Sequence, residues 1–597
     1  MSPVTPARAR PLLFAAGALA LALALPALAQ ESILPPGFGN EAAPAPPAVS
    51  PPASPATPMP APAQPVADDQ IAVTDELELE ELLPPPPPPI EIPDDKRRDP
   101  YFVGAIEPVR VGLSNAPWGT ASGAFLGSLM RRMDTPLASR WAHIALRNAL
   151  ISTTRAPRNI NPVDWAAERA WLLLRLGEAD AARMIVADVD VDHFTPKMFQ
   201  VGVQSALSSG DPAALCPLQV GISEVEARIS PLLKAMCAAL TGNPETAAAD
   251  IEAARRRGRI SGIDLLLADK VVGAGADTAR AVTIEWEPVD KLTSWRFGLA
   301  SATGMIPPER LINAASLRLR AWQASMPILA AQDRLGSARI ATGLGVFSSV
   351  ALTDLYSTIY DATDADELAQ SDGWQLRTAF VGRNQEARLA AMRRLWAIGN
   401  GPLEREASRA LVARAATRIA PDAELQRDAP DLIASMLAAG YDREAAEWAG
   451  AVRQMDDEPA DACWAMLALA SPSAGIDVGF GRINAFVGRD DSQGRRRSAL
   501  LVAGLAGLGR IDARTAARLD SRYDLGIDRP TRWTRMIDAA AKRGQAGTVN
   551  LLTATGMQTS GIGDIPASHL AHAVAAMRLT GQEFMARMVA AEALART

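Results

Sequence analysis

The chain has 597 residues, too many for one hydrophobic core, so it must divide into domains or extend as an array. Its 48% hydrophobic and 21% charged residues suit a globular protein, and a net charge of −7 offers no global attraction to nucleic acid. Aromatic residues at only 5% favour close-packed helices over an aromatic-rich β sandwich.

The stretch "MSPVTPARARPLLFAAGALALALALPALAQ" opens with Arg8 and Arg10, runs apolar from Leu12 to Leu25, and follows Pro26 with Ala27-Leu28-Ala29. That order is the order of a secretory signal over 1–29, with the cut after Ala29. The apolar run is short for a membrane span of about 20 residues. No cysteine sits near the cut, which argues against a lipid-anchored form. The expected location is a bacterial periplasm, with an inner-membrane tether as the alternative if the signal is retained. No later stretch is long and apolar enough for a transmembrane segment in the mature chain.

Residues 30–98 read as a linker. "PPGFGNEAAPAPPAVSPPASPATPMPAPAQP" has no apolar period and cannot bury a core. "DELELEELLPPPPPPIEIPDD" adds an acidic patch and six prolines, Pro84 to Pro89, expected as a stiff polyproline II rod. A spacer is the simpler reading, ahead of a docking peptide for a groove-bearing partner.

Beyond the linker, Ala/Leu/Arg-rich stretches of helical spacing alternate with short breaks, predicting an all-α protein with lobes at 99–360 and 361–597. In "PLASRWAHIALRNALIS", Trp141, Ile144, Ala145 and Ala149 fall on one stripe. The best strand candidate, "AVTIEWEPV" at 281–289, is isolated. Glycines at 177, 210, 242 and 275 follow one another at intervals of 33, 32 and 33 residues, and those at 440, 475, 509, 544 and 581 at 35, 34, 35 and 37. In the better copies a helix enters the glycine, a polar residue follows, and a helix with small residues leaves it. Glycine closes a helix in the left-handed conformation at little cost, and a following Asp or Asn caps the next one. Between 290 and 430 the candidates Gly304, Gly336 and Gly399 are irregularly spaced.

The unit resembles a divergent tetratricopeptide-type helical hairpin, best in "ERAWLLLRLGEADAARM", with Leu176-Gly177 and then Ala182 on the second helix. Most copies lack that family's aromatic and its closing proline. The resemblance implies an α-solenoid of antiparallel hairpins with a 32–37-residue quasi-repeat. It also implies a concave face that binds peptides or protein surfaces without catalysis.

Hairpin geometry places Cys216, just after the Gly210-Asp211 break, near Cys237, just before Gly242, and predicts a disulfide between them. Cys463, next to Trp464, is expected as a buried thiol. His569 and His572, at i and i+3, share a helix face but lack a metal-binding setting. The runs Arg255–Arg257 and Arg495–Arg497 read as solvated helix ends, and pairs such as Asp456-Asp457 and Asp490-Asp491 as loop charges. Of the 60 basic residues six are Lys and the rest Arg, which reads as coding bias. The cluster "GLAGLGR" at 504–510 lacks the strand and spacing of a dinucleotide loop. Lytic transglycosylases also carry a helical superhelix, but their Glu-Ser motif occurs here only at Glu31-Ser32.

No catalytic, cofactor-binding or metal-ligating residue is therefore assigned. The leading expectation is a periplasmic scaffold or adaptor for other envelope proteins or peptides. A cell-wall hydrolase of unfamiliar type and a passive structural protein are the alternatives. Neither the partner nor the oligomeric state is legible.

Overall fold

The computed structural model describes residues 93–258, 260–276, 282–473 and 475–597. The signal expected over 1–29 and the Pro-rich and acidic tract up to residue 92 lie outside the described residues. The linker gives way to folded chain earlier than residue 98. Asp94–Lys96 forms a 3-10 turn, Arg97 donates to Asp192 at 2.8 Å, and the Arg98 N–H donates to Asp190 at 2.9 Å.

The fold is all-α. Its one sheet among the described residues is a two-residue pairing of β1 (Phe102–Val103) with β2 (Thr154–Arg155). The first helices are α1 (Gly123–Arg132), α2 (Arg140–Ile151), α3 (Pro162–Leu176) and α4 (Ala179–Ala187). Asn161 caps α3 by accepting the N–H groups of Val163 and Asp164, with Pro162 where an N–H would be unused. Gly177, at φ 93°, ends α3 and turns the chain into α4.

The same device recurs. α5 (Pro196–Ser208) is capped by Thr195 and breaks at Gly210, φ 61°. A 3-10 helix, Pro212–Leu218, then leads through α6 (Gln219–Val225) to α7 (Ser230–Leu240). Gly242, φ 82°, turns α7 into α8 (Pro244–Arg257), and α9 (Ile263–Gly275) follows. Gly275 is the last residue of α9 and is not left-handed.

The strand expected at 281–289 does not form. Val282, Ile284 and Trp286 are half-buried and alternate with exposed Thr283, Glu285 and Glu287, so the period-two burial is real. Among the described residues no second strand is there to complete a ladder. Instead Arg310 donates to the carbonyls of Val289, at 2.8 Å, and Trp286, at 2.5 Å.

The middle comprises α10 (Ser294–Ala302), α11 (Glu309–Ala314), α12 (Leu317–Ala324), α13 (Ala331–Leu344), α14 (Ser349–Ala362), α15 (Asp372–Val381), α16 (Gln385–Trp396) and α17 (Pro402–Ala416). Gly304 and Gly399 are left-handed breaks at φ 71° and 86°. Gly336 is not a break and lies inside α13, which ends at Gly345, φ 97°. The last third comprises α18 (Ala429–Ala438), α19 (Asp442–Ala446), α20 (Ala449–Val452), α21 (Asp457–Ala470), α22 (Phe480–Arg489), α23 (Arg496–Gly507), α24 (Ala513–Tyr523), α25 (Arg532–Lys542), α26 (Ala546–Gly556), α27 (Ala567–Leu579) and α28 (Glu583–Ala595). Gly440, Gly509, Gly544 and Gly581 are left-handed, at φ 81°, 68°, 67° and 84°. Gly475 lies in the irregular connection between α21 and α22 without a positive φ.

One apolar cluster runs from Trp141 on α2 and Ala321 on α12 to Leu594 on α28. The lobe boundary expected at 360/361 falls inside α14 and within this cluster, so the packing does not divide there. A second cluster, Val203 to Ala300, joins α5 to α10.

The array also meets itself, because α2 packs against α26 and α28. Glu592 on α28 accepts from the Ser139 hydroxyl at 2.6 Å and from the N–H groups of Arg140 and Trp141 at 2.8 and 3.1 Å. A carboxylate from the far end of the chain thereby caps α2, where the helix dipole favours negative charge. Arg596 pairs with the same carboxylate at 2.5 Å and donates to Ala138 O at 2.9 Å. Asn550 on α26 donates to Ala145 O, also at 2.9 Å.

Candidate functional site

Cys216 and Cys237 are joined by a disulfide with Cα atoms 5.5 Å apart. Cys216 stands in the 3-10 helix forced by Pro212 and Pro217, where the sequence suggested the start of an α-helix. The bridge pins that short element to α7. Cys463 is buried inside α21, and desolvation pushes its thiol up to about 12, so at neutral pH it holds its proton and is a poor nucleophile.

The two C-terminal histidines look in different directions. His569 Nδ1 lies 3.0 Å from Gly556 O with its ring over Trp533, and His572 Nδ1 lies 2.8 Å from Asp538. The tightest group of metal-ligand types among the described residues is Asp190, Asp192 and His193. Arg98 and Arg97 already engage its carboxylates.

The arginine runs have separate jobs. Arg255, at the C-terminal end of α8, pairs with Asp269 at 2.8 Å. Arg496, at the N-terminal end of α23, donates to the carbonyls of Gly563 and Ile565. Asp490 accepts from the Ser492 and Ser498 hydroxyls at 2.6 and 2.5 Å and fixes the entry to α23. In the glycine cluster, Gly504 and Gly507 lie within α23, where α27 and α28 come close. A Cβ on Gly507 would lie 2.6 Å from Ala571 O, so the cluster serves helix packing.

Two surface clefts stand out. One, of about 880 Å³, lies between α13, α14 and α15, where Leu335, Tyr356 and Ile359 adjoin Asp364, Asp366 and Asp372. The other, of about 630 Å³, lies between the segment leading into α1 and the pair α25–α26. Its floor is built by local packing. Trp118 sits edge-on to Trp165 of α3 at 5.2 Å, the Gly547 N–H donates to Pro117 O at 2.8 Å, and Gln545 donates to the Thr120 hydroxyl at 3.2 Å.

The outer wall of this second cleft is one face of α25. Arg532, Arg535, Met536, Ala539 and Arg543 follow one another at helical steps and all line it. Opposite stands Phe125, 41% exposed. All three arginines are exposed, and none has an ion pair or a side-chain hydrogen bond among the described residues. No carboxylate lines the cleft among the described residues. At its base Thr548, 2% exposed, has a hydroxyl without a hydrogen-bond partner.

Comparison with protein-family models, with curated proteins and with solved structures gives no match. The site therefore rests on its own geometry. It offers positive charge over an apolar bed, and the hydroxyls of Thr120 and Ser122 have no histidine or carboxylate beside them among the described lining residues. Sequence reading weighed the contiguous arginine runs and passed over Arg532, Arg535 and Arg543. Their signal was a 3-then-8 spacing on one helix face, which contiguity hides.

Proposed function

We propose that the protein is an exported helical scaffold of the cell envelope. Its cleft between α1 and α25 holds an acidic, leucine-bearing protein segment. The observation that carries this reading is the set of three arginines without partners above Phe125 and Met536. The buried guanidinium groups of Arg140, Arg169, Arg339 and Arg587 engage carbonyls or other side chains, whereas these three stand together on one cleft wall without a partner among the described residues. Their mixture of forked donors and apolar bed suits carboxylates interleaved with aliphatic side chains. The signal-like order of residues 1–29 and the Cys216–Cys237 bridge support an oxidising compartment outside the cytoplasm.

The test is fluorescence anisotropy of a labelled Glu/Leu-alternating peptide titrated with the full chain, beside the triple reversal Arg532→Glu, Arg535→Glu, Arg543→Glu. The expected result is saturable binding that weakens with salt and falls at least about tenfold in the reversed variant. Equal binding by both proteins would overturn the assignment of the cleft.

A further inference from the structure

We propose that the cleft between α1 and α25 is occupied by the chain's own acidic segment, residues 75–83, docking in cis. The inference rests on the reading of the cleft as a site for an acidic, leucine-bearing segment, and it names the occupant. Two observations carry it.

The first is charge and shape. The segment reads Asp-Glu-Leu-Glu-Leu-Glu-Glu-Leu-Leu. In extended form Glu76, Glu78 and Glu80 fall on one side and Leu77 and Leu79 on the other. The three arginines would meet the acids, while Phe125, Met536 and Leu552 would receive the leucines. Arg532 to Arg543 spans about 16 Å along a helix, and an extended Glu76 to Glu80 spans about 13 Å.

The second is reach. Described chain begins at Pro93, and nine residues, six of them proline, separate it from Leu83. At roughly 3.1 Å per residue in polyproline II form, that spacer covers about 30 Å. The entering chain is anchored where Arg97 meets Asp192, three residues before Thr195, whose hydroxyl donates to Asp164 in the first turn of α3 at 2.7 Å. Just ahead of that turn, Ile160 abuts Gly123, and the Gly123 N–H donates to Arg158 O at 2.8 Å. Gly123 adjoins Ser122, which lines the cleft. The tether and the mouth of the cleft thus share one end of α3.

The experiment titrates a labelled peptide of residues 75–83 with two full-length chains. One is the wild type and the other carries Glu76→Gln, Glu78→Gln, Glu80→Gln and Glu81→Gln. A tethered occupant competes at the high effective concentration of a short spacer. The neutralised chain should therefore bind the added peptide at least about tenfold more tightly than the wild type, and adding the three Arg→Glu reversals should remove that binding. Equal affinity in wild type and neutralised chain would overturn self-docking and leave the cleft reading standing. Binding by neither would overturn both. Wild-type affinity that tightens as the chain itself is diluted would place the segment of a second copy in the cleft, and would overturn docking in cis.

Discussion

Arg169 donates to the carbonyls of Leu150 and Ser152 at 3.0 and 2.9 Å, where α2 ends, and to that of Val103 on β1 at 2.8 Å. Arg140 donates to Thr342 O and Ala438 O, at the ends of α13 and α18. Arg510 and Arg587 do the same for the end of α21. The last carbonyls of a helix have no partner within it and carry the negative end of its dipole. A guanidinium serves two or three of them at once from a rigid planar fork of five donors, whereas a lysine ammonium gathers its three donors at a single point on a flexible stem. The Arg excess that reads in composition as coding bias is in this molecule a way of closing helix ends. Burial holds Arg169 down at about 10, still protonated at neutral pH. Arg169→Lys should cost about 2–3 kcal/mol in chemical denaturation, since charge-assisted bonds are lost without loss of charge. An unchanged midpoint would contradict that role.

Asp461 works in the opposite sense. Burial alone would raise its pKa, but Arg489, bound at 2.7 and 2.8 Å, and Arg482, at 2.7 Å, bring it below the ordinary carboxylate range. A carboxyl with a lowered folded-state pKa stabilises the fold at pH values above its unfolded pKa of about 3.9, and that contribution disappears as pH falls through the folded value. Asp461→Asn should therefore lose about 1–3 kcal/mol near neutral pH. The gap from wild type should stay level down to about pH 5 and close below about pH 4. A gap that does not narrow at all as pH falls below about 4 would show that the charge is not its source.

At the scale of elements, glycine has two uses here, and they answer differently to substitution. Gly177, Gly242 and Gly440 end helices at positive φ, and sequence reading located them because a left-handed helix end almost demands glycine. Gly507 and Gly343 instead let helices touch: a Cβ on Gly343 would lie 2.3 Å from Leu403 O. Propensity alone favours Gly→Ala inside a helix by up to about 1 kcal/mol. At Gly507, 2.6 Å from a backbone oxygen, that gain is reversed, and Gly507→Ala should destabilise by about 1–3 kcal/mol. At Gly336, exposed and with nothing within 4 Å, the same change should stabilise by up to about 1 kcal/mol. Thermal melts of the two variants should move in opposite directions, and parallel shifts would refute the distinction.

Interval counting selected Gly336 and missed Gly345 because spacing cannot tell a helix end from a helix interior. The alternation at 282–287 was likewise legible, but whether a second strand lies beside it is a tertiary fact. The bridge between Cys216 and Cys237, 21 residues apart, should contribute about 3 kcal/mol by restricting the unfolded chain. Reduction should lower the melting of the α5–α10 cluster first, and alkylation without reductant should leave both cysteines unlabelled.

At the scale of the whole described body, sequence order says nothing of the junction between α2 and α28. Ser139 and Glu592 are 453 residues apart, and each reads locally as an ordinary cap or a surface acid. The same limit applies to the cleft: the arginine face of α25 is visible as a pattern, but its lack of partners appears only when every neighbouring chain segment is placed. Glu592→Gln should cost roughly 3 kcal/mol, because the Arg596 cation loses its counter-charge in a buried setting and α2 loses most of its cap. Hydrogen exchange should then quicken in α2 and α28 together. Faster exchange confined to α28 would mean that the junction contributes little.

That junction also sets a limit on how the protein can be made. The glutamate that completes α2 lies 452 residues beyond Arg140, so the first long helix stays unfinished until α28 has been made. Contacts of such separation are slow to form, and a nascent chain must keep the apolar flank of α2 uncovered for most of its elongation. A chain with this order of assembly stays unlocked until α28 reaches α2.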